Sequence, residues 1–157
     1  MKSPLILGMD VGTSVCKVGI CNEQGSLLGC EQFRYGTVKG KGGVVEQDAH
    51  EWWNAAVRST TKLLKTGEVD TESIAAISLC SQGITFVPVD HRLEPTSRAL
   101  SWLDTRAEEE TEEILEHFGL SEMFRITGKR VHASYSLPKV LWLKKNRPHL
   151  LDHSEKL

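Results

Sequence analysis

Over the first 35 residues, apolar positions come in short runs broken by turn formers, a pattern of strands and not of helices. Leu5 to Asp10 reads as an apolar strand ending on an acid. Gly12, Thr13 and Ser14 make a tight turn, and Val15 to Cys21 is a second apolar strand returning beside the first. Asn22-Glu-Gln-Gly25 is a turn signal, and Ser26 to Tyr35 is a third strand with Leu27, Leu28 and Phe33 as its apolar members. Short links between three consecutive strands predict an antiparallel meander. Gly36 to Gly43, rich in Gly and Lys, predicts an exposed, mobile loop.

The period then changes. Asp48 suits an N-cap, Glu51 follows three residues later as in a capping box, and Trp52, Ala56, Val57, Thr60, Leu63 and Leu64 recur at helical spacing until Gly67. Ser73 to Cys80 is nearly continuous in apolar residues, which predicts a fully buried strand. The helix before it supplies the crossover that parallel pairing needs. Ser81-Gln-Gly83 breaks that run, Ile84 to Val89 resumes as a strand, and Leu100 to Leu103 is a brief apolar segment. Asp104 or Thr105 is expected to cap a second helix whose solvated face carries Glu108, Glu109, Glu110, Glu112 and Glu113. Gly119 ends it, a short helix runs from Ser121 to Thr127-Gly128, and Pro138 opens a last helix through Val140, Leu141, Trp142 and Leu143 to Asn146 and Pro148. The order predicts an α/β fold. Its mixed sheet has three antiparallel strands, with Ser73 to Cys80 parallel to Leu5 to Asp10, and flanking helices.

Composition narrows the function classes. A chain of 157 residues can bury a real core as one domain, and 39% hydrophobic with 25% charged residues is ordinary for a soluble protein. A formal net charge of -2, with Lys and Arg scattered, leaves no basic footprint for nucleic acid. Cys16, Cys21, Cys30 and Cys80 form no C-x-x-C pair, so buried free thiols in a reducing cytoplasm are expected, not a disulfide or zinc framework. The N-terminal apolar run is interrupted by Pro4 and Asp10, too soon for a signal peptide or a membrane span.

The first hairpin is the segment with chemistry in it. Gly12 lacks a Cβ, and N–H groups in such a turn can converge on phosphate oxygens, with Thr13 and Ser14 adding hydroxyl donors. Asp10 suits a Mg²⁺ ion that keeps water and phosphate oxygens as its other ligands. An ordinary Asp-containing turn is an equally good reading of these residues alone. No Gly-Lys-Ser/Thr and no Gly-x-Gly-x-x-Gly follows, so P-loop and Rossmann sites are excluded.

Five separated motifs coincide in one family. Asp10-Val-Gly-Thr-Ser14 with Lys17, Val45-Glu-Gln-Asp48 followed by Trp52-Trp53, Ser81-Gln-Gly83, Ser101-Trp-Leu-Asp-Thr-Arg106, and Thr127-Gly128 with Leu137-Pro-Lys-Val-Leu-Trp-Leu-Lys-Lys-Asn146 together resemble the FGGY carbohydrate kinases. The resemblance covers essentially the whole chain and implies a ribonuclease-H-like, actin-like ATPase fold. Family members are much longer and two-lobed, so residues 1–157 are expected to form the N-terminal lobe of such a kinase.

The resemblance implies roles for particular residues. Asp10 would serve Mg²⁺ and ATP, Gly12, Thr13 and Ser14 the terminal phosphates, and Lys17 has either a phosphate role or none. Gln82, Gly83 and Ile84 fall where glycerol kinases carry an Arg-Glu pair and bacterial xylulokinases a Met-His pair; this chain departs from both, which disfavours glycerol and puts xylulose in doubt. Trp102 would stack on a sugar face and Asp104 would accept from its hydroxyls, with Arg106 and Tyr135 as weaker candidates. The implied reaction is transfer of the ATP γ-phosphoryl to a hydroxyl of a ketose or polyol, with a base that matches no residue of this chain. The chain alone is therefore expected to be inactive. The partners implied are ATP and a sugar or polyol, with no nucleic acid or membrane, a homodimer when full length, and a cytoplasmic location. An actin-like ATPase switch and a non-catalytic interaction domain are the competing readings; the Ser101 to Arg106 segment with Gln82 argues for the kinase.

Overall fold

The computed structural model describes residues 3–66 and 69–157. Gly67, the expected helix stop, lies outside the described residues. The chain divides into two compact units, one made of Met1–Gly36 and His50–Gln82, the other of Thr37–Ala49 and Gly83–Leu157.

The first unit is a four-stranded sheet backed by one helix. β1 (Leu5–Val11), β2 (Val15–Asn22) and β3 (Leu27–Arg34) form the antiparallel meander, and β6 (Ile74–Ser81) joins β1 in parallel, giving the order β3-β2-β1-β6. The register decides which side of the sheet does what. Leu7 pairs with Ile20, Met9 with Val18 and Val11 with Cys16, so these six side chains share one face. That face packs on α1 (Ala49–Thr66) through Ala55, Ala56 and Leu63. Gly29 of β3 lets the helix come close, because a Cβ there would lie 2.9 Å from Leu63 Cδ1. The alternate set, Gly8, Asp10, Lys17 and Gly19, lies on the opposite face.

β6 has the expected direction and not the expected burial. Leu79 is 68% exposed and Ile77 70%, and the strand as a whole lies at the sheet's edge. Its apolar residues occupy both faces, which produced the continuous run in the sequence, yet among its described residues only Ile74, at its start, packs against the core under α1. The cysteines divide accordingly: all four are free, Cys16 is buried against α1, Cys21 is half-buried, and Cys30 and Cys80 on the edge strands are exposed.

The second unit pairs a small antiparallel sheet with helices. β4 (Val38–Lys39), β5 (Val45–Gln47) and β7 (Ala99–Leu100) run in that order. The helices are α2 (Glu108–Phe118), α3 (Leu120–Thr127), α4 (Ser136–Asn146) and α5 (Pro148–Asp152). Four expectations change here. The Gly36 to Gly43 loop is exposed as expected but contains β4, and Gly43, at φ 76°, has no room for a side chain, since a Cβ would lie 2.4 Å from Thr105 Oγ1. Ile84 to Val89 forms isolated bridges and not a strand. α2 starts after Ala107 with no side-chain cap, so neither Asp104 nor Thr105 caps it. Pro148 opens a further short helix as well as following α4. Gly119 and Gly128 end α2 and α3 at φ 75° and 68° as expected.

Candidate active site

In the first unit the structure gathers Asp10, Gly12, Thr13, Ser14 and Lys17 at one end of the β1–β2 hairpin. Asp10 lies opposite Lys17 in the ladder, and both side chains are exposed. They line a concavity of about 290 Å³ with Gly8, Met9, Gly19, Ser78 and Cys80. The paired glycines Gly8 and Gly19 keep the floor of this concavity low.

Gly12 differs from the expectation in one respect. Its N–H donates to Val15 O at 3.1 Å and closes the hairpin, so it is not one of a set of amides turned toward an anion. What Gly12 provides is room: an added Cβ would sit 3.3 Å from Val15 O and 4.0 Å from each carboxylate oxygen of Asp10. Among the described residues no group of three or more His, Cys, Asp or Glu side chains could hold a metal ion. A single accessible carboxylate with open space beside it fits a cation that keeps water and phosphate oxygens, as Mg²⁺ does, and does not fit a protein cage.

Two residues brace this hairpin that the sequence reading did not place there. The Tyr35 hydroxyl donates to Gly12 O, and Tyr35 N donates to Ser14 O at 3.3 Å. Burial, reinforced by Cys16 and Asp10 nearby, pushes the Tyr35 hydroxyl up to about 12, so it stays a donor at neutral pH. Gln82 N donates to Val11 O at 3.0 Å, which fixes this sugar-site candidate beside the end of β1. The only sequence signal for Tyr35 was its place at the end of the third strand.

The second unit carries Gly83, Ile84, Trp102 and Asp104. Trp102 is 40% exposed and Ile84 36%, so both offer apolar surface to solvent. Trp102 N donates to Thr85 Oγ1 at 2.9 Å, and Phe86 and Leu100 exchange both backbone hydrogen bonds, at 3.3 and 2.9 Å. These bonds bring Ile84 and Trp102 onto neighbouring segments.

Asp104 departs from its expected role. Its side chain is wholly buried, and its carboxylate accepts from Arg106 Nε at 2.9 and 3.0 Å, Arg106 Nη2 at 2.6 Å, Arg106 N at 3.2 Å and Val45 N at 2.6 Å. With its lone pairs taken, it has none to offer sugar hydroxyls. Arg106 also donates to Glu46 Oε1 at 2.7 Å and lies 4.9 Å from the Trp142 ring centroid. Burial works against the Arg106 charge, but the bonds to Asp104 and Glu46 outweigh it and raise the guanidinium above its ordinary range. Asp104 and Arg106 thus hold the Ser101–Arg106 segment on β5. Tyr135 N donates to His132 O at 2.9 Å, and the Tyr135 ring lies 6.1 Å from that of His132 and 5.7 Å from Lys129 Nζ.

An ATPase-type α/β unit, with a three-stranded meander, a parallel fourth strand and an acid at the first hairpin, is the class this fold defines. The profile of the FGGY family of carbohydrate kinases, N-terminal domain, matches residues 5–157, and the chain belongs to this family. It is 30% identical over 139 residues to a xylulose kinase of Staphylococcus xylosus, covering 88% of this chain and 28% of the relative. It is also 30% identical over 152 residues to a glycerol kinase of Thermococcus gammatolerans, covering 96% of this chain and 30% of the relative. Among solved structures, ligand-bound xylulose kinase from Lactobacillus acidophilus superposes with a TM-score of 0.88 at 25% identity, over 98% of this chain and 31% of that one. A xylulose kinase from Brucella ovis does so with a TM-score of 0.90 at 24% identity, over 97% and 31%. The chain therefore spans a little under a third of the length of these relatives. Family membership favours the carbohydrate kinase reading over the ATPase-switch and interaction-domain alternatives. No helix among the described residues is long and apolar enough to cross a membrane.

Proposed function

We propose that the protein carrying this chain is an ATP-dependent carbohydrate kinase that transfers the γ-phosphoryl group of ATP to a hydroxyl of a ketose or polyol. The observation that carries the reading is the exposed Asp10 with the space left by Gly12 beside it, in a chain of the FGGY kinase family. Asp10 would hold Mg²⁺ through its carboxylate, and the ion would supply charge neutralisation for the phosphates. Thr13, Ser14 and Lys17 would contact the phosphates. Gly12 keeps the approach open, and Tyr35 holds the turn in shape by fixing the Gly12 carbonyl.

Trp102 and Ile84 would provide the apolar wall against the C–H face of the sugar, with Gly83 leaving space. Asp104 acts through Arg106 and Val45 in this reading, not by touching the sugar. In the transfer, the bond from the γ-phosphorus to the bridging oxygen breaks, the substrate oxygen bonds to phosphorus, and ADP leaves. The hydroxyl proton goes to a base that we assign to no residue of this chain. Catalysis of this kind is positioning and charge stabilisation. A cytoplasmic location and a homodimer of the full-length protein complete the proposal.

A coupled assay of ADP release by the full-length protein, over a panel of ketoses, polyols and glycerol, tests it. Turnover is expected to be best with a ketose or polyol other than glycerol. Absence of sugar-dependent ADP release with every compound overturns the kinase reading, and glycerol as best substrate overturns the account of Gly83 and Ile84. The 157-residue chain alone is expected to give no sugar-dependent turnover.

A further inference from the structure

Lys139, in the first turn of α4, is wholly buried, and its Nζ has no carboxylate within ion-pair distance among the described residues. Burying an ammonium in this way is costly, and a methionine would fill the same volume without the cost. The ammonium is used on backbone. Nζ donates to Ser101 O at 2.8 Å and to Ile84 O at 3.2 Å, and it lies 5.5 Å from the Phe86 ring centroid.

Both carbonyls belong to the segments that present Ile84 and Trp102. Below them the segments are already joined by the Phe86–Leu100 pair and by Trp102 N on Thr85 Oγ1. Lys139 closes the free end of that ladder. Ile84 needs such a hold, because a β-branched residue at φ 51° is in a strained conformation that only its surroundings can maintain. Burial draws the Lys139 ammonium down to about 8, while Asp104 nearby works the other way and Arg106 adds to the lowering. The bonds to carbonyl oxygens survive in either protonation state, since a neutral amine still donates.

We infer that Lys139 is a positioning residue for substrate specificity: by tying the Ile84 and Ser101 carbonyls together it fixes the backbone from which Ile84 and Trp102 meet the sugar. This rests on the proposed kinase reading for its substrate side, and on the geometry alone for its structural side. Nothing in the family match assigns a role to this side chain.

The test uses the full-length protein with Lys139→Met and Lys139→Arg. Lys139→Met is expected to raise KM for the preferred sugar by about tenfold or more while KM for ATP stays within about twofold. Amide hydrogen exchange is expected to quicken at residues 84–86 and 101–103, with the β1–β2 ladder unchanged. Lys139→Arg, which keeps donors, is expected to recover part of the sugar KM. Unchanged sugar KM in folded Lys139→Met overturns the inference, as does a parallel rise in both KM values. If Lys139→Met does not fold, amide exchange in folded Lys139→Arg carries the test: a raised sugar KM with ATP KM kept and quicker exchange at residues 84–86 and 101–103 supports the inference, and a raised sugar KM with unchanged exchange there, or a parallel rise in both KM values, overturns it. If wild-type protein phosphorylates no sugar, the kinase reading fails and exchange at the two segments still decides whether Lys139 holds them.

Discussion

Asp10 and Asp104 follow short apolar segments in the two units, and the chain treats them in opposite ways. Asp10 is exposed, with open space beside its carboxylate and a lysine opposite it in the ladder. Asp104 is wholly buried, and every lone pair it could offer is taken by Arg106 and Val45. The difference lies in what has already been satisfied. A carboxylate whose partners come from its own fold contributes shape and stability, whereas one facing solvent keeps its charge for a ligand. The same division separates Lys17, exposed on β2, from Lys139, buried under two carbonyls.

The largest expected effect comes from breaking the buried side of this comparison. Asp104→Ala leaves Arg106 buried with Glu46 as its one remaining acidic partner among the described residues and strips Val45 N of its acceptor. Loss of one member of a buried ion pair costs about 3–5 kcal/mol, read as a shift in the denaturation midpoint of the chain. A loss of kcat/KM with unchanged stability would return Asp104 to the sugar pocket.

Lys139 gives the next effect, through pH. Its folded value of about 8 lies below the ordinary 10.5, so from about pH 8 to about pH 10.5 the unfolded state binds more protons and stability rises with pH. Cys16 and Tyr35, both raised in the fold, act in the opposite direction at alkaline pH. The Lys139 contribution is therefore read as the wild-type stability minus that of Lys139→Met. This difference is expected to increase by on the order of 3 kcal/mol between neutral pH and pH near 10.5. A flat difference would mean that the ammonium is better solvated than its burial implies.

Tyr35→Phe removes the hydroxyl that donates to Gly12 O and is expected to cost about 0.5–1.5 kcal/mol, measured by urea denaturation. In the full-length protein the same variant is expected to raise KM for ATP more than KM for the sugar. The smallest effect on stability belongs to Asp10→Asn, within about 0.5 kcal/mol because the side chain is exposed. Its consequence lies in activity: ATP-dependent turnover of the full-length protein is expected to fall by about a hundredfold or more, and turnover within about twofold of wild type would remove Asp10 from the phosphate site.

The period of the pattern was enough to determine the meander, the long helix α1, the stops at Gly119 and Gly128, and the direction of β6, because each follows from local backbone preference or from the length of a crossover. The hairpin with Asp10 was legible for the same reason, since its residues are neighbours along the chain. Three things depended on the tertiary structure. The exposure of Ile77 and Leu79 depends on what covers a strand, which an apolar run does not report. The satisfaction of Asp104 depends on Val45 N, 59 residues away in sequence, and the bracing of Gly12 on Tyr35, 23 away. In the sequence Lys139 is one residue of the Leu137–Asn146 motif, with nothing to set it apart. Only the fold decides otherwise, by carrying Ile84 O and Ser101 O to within hydrogen-bond reach of an ammonium shut away from water.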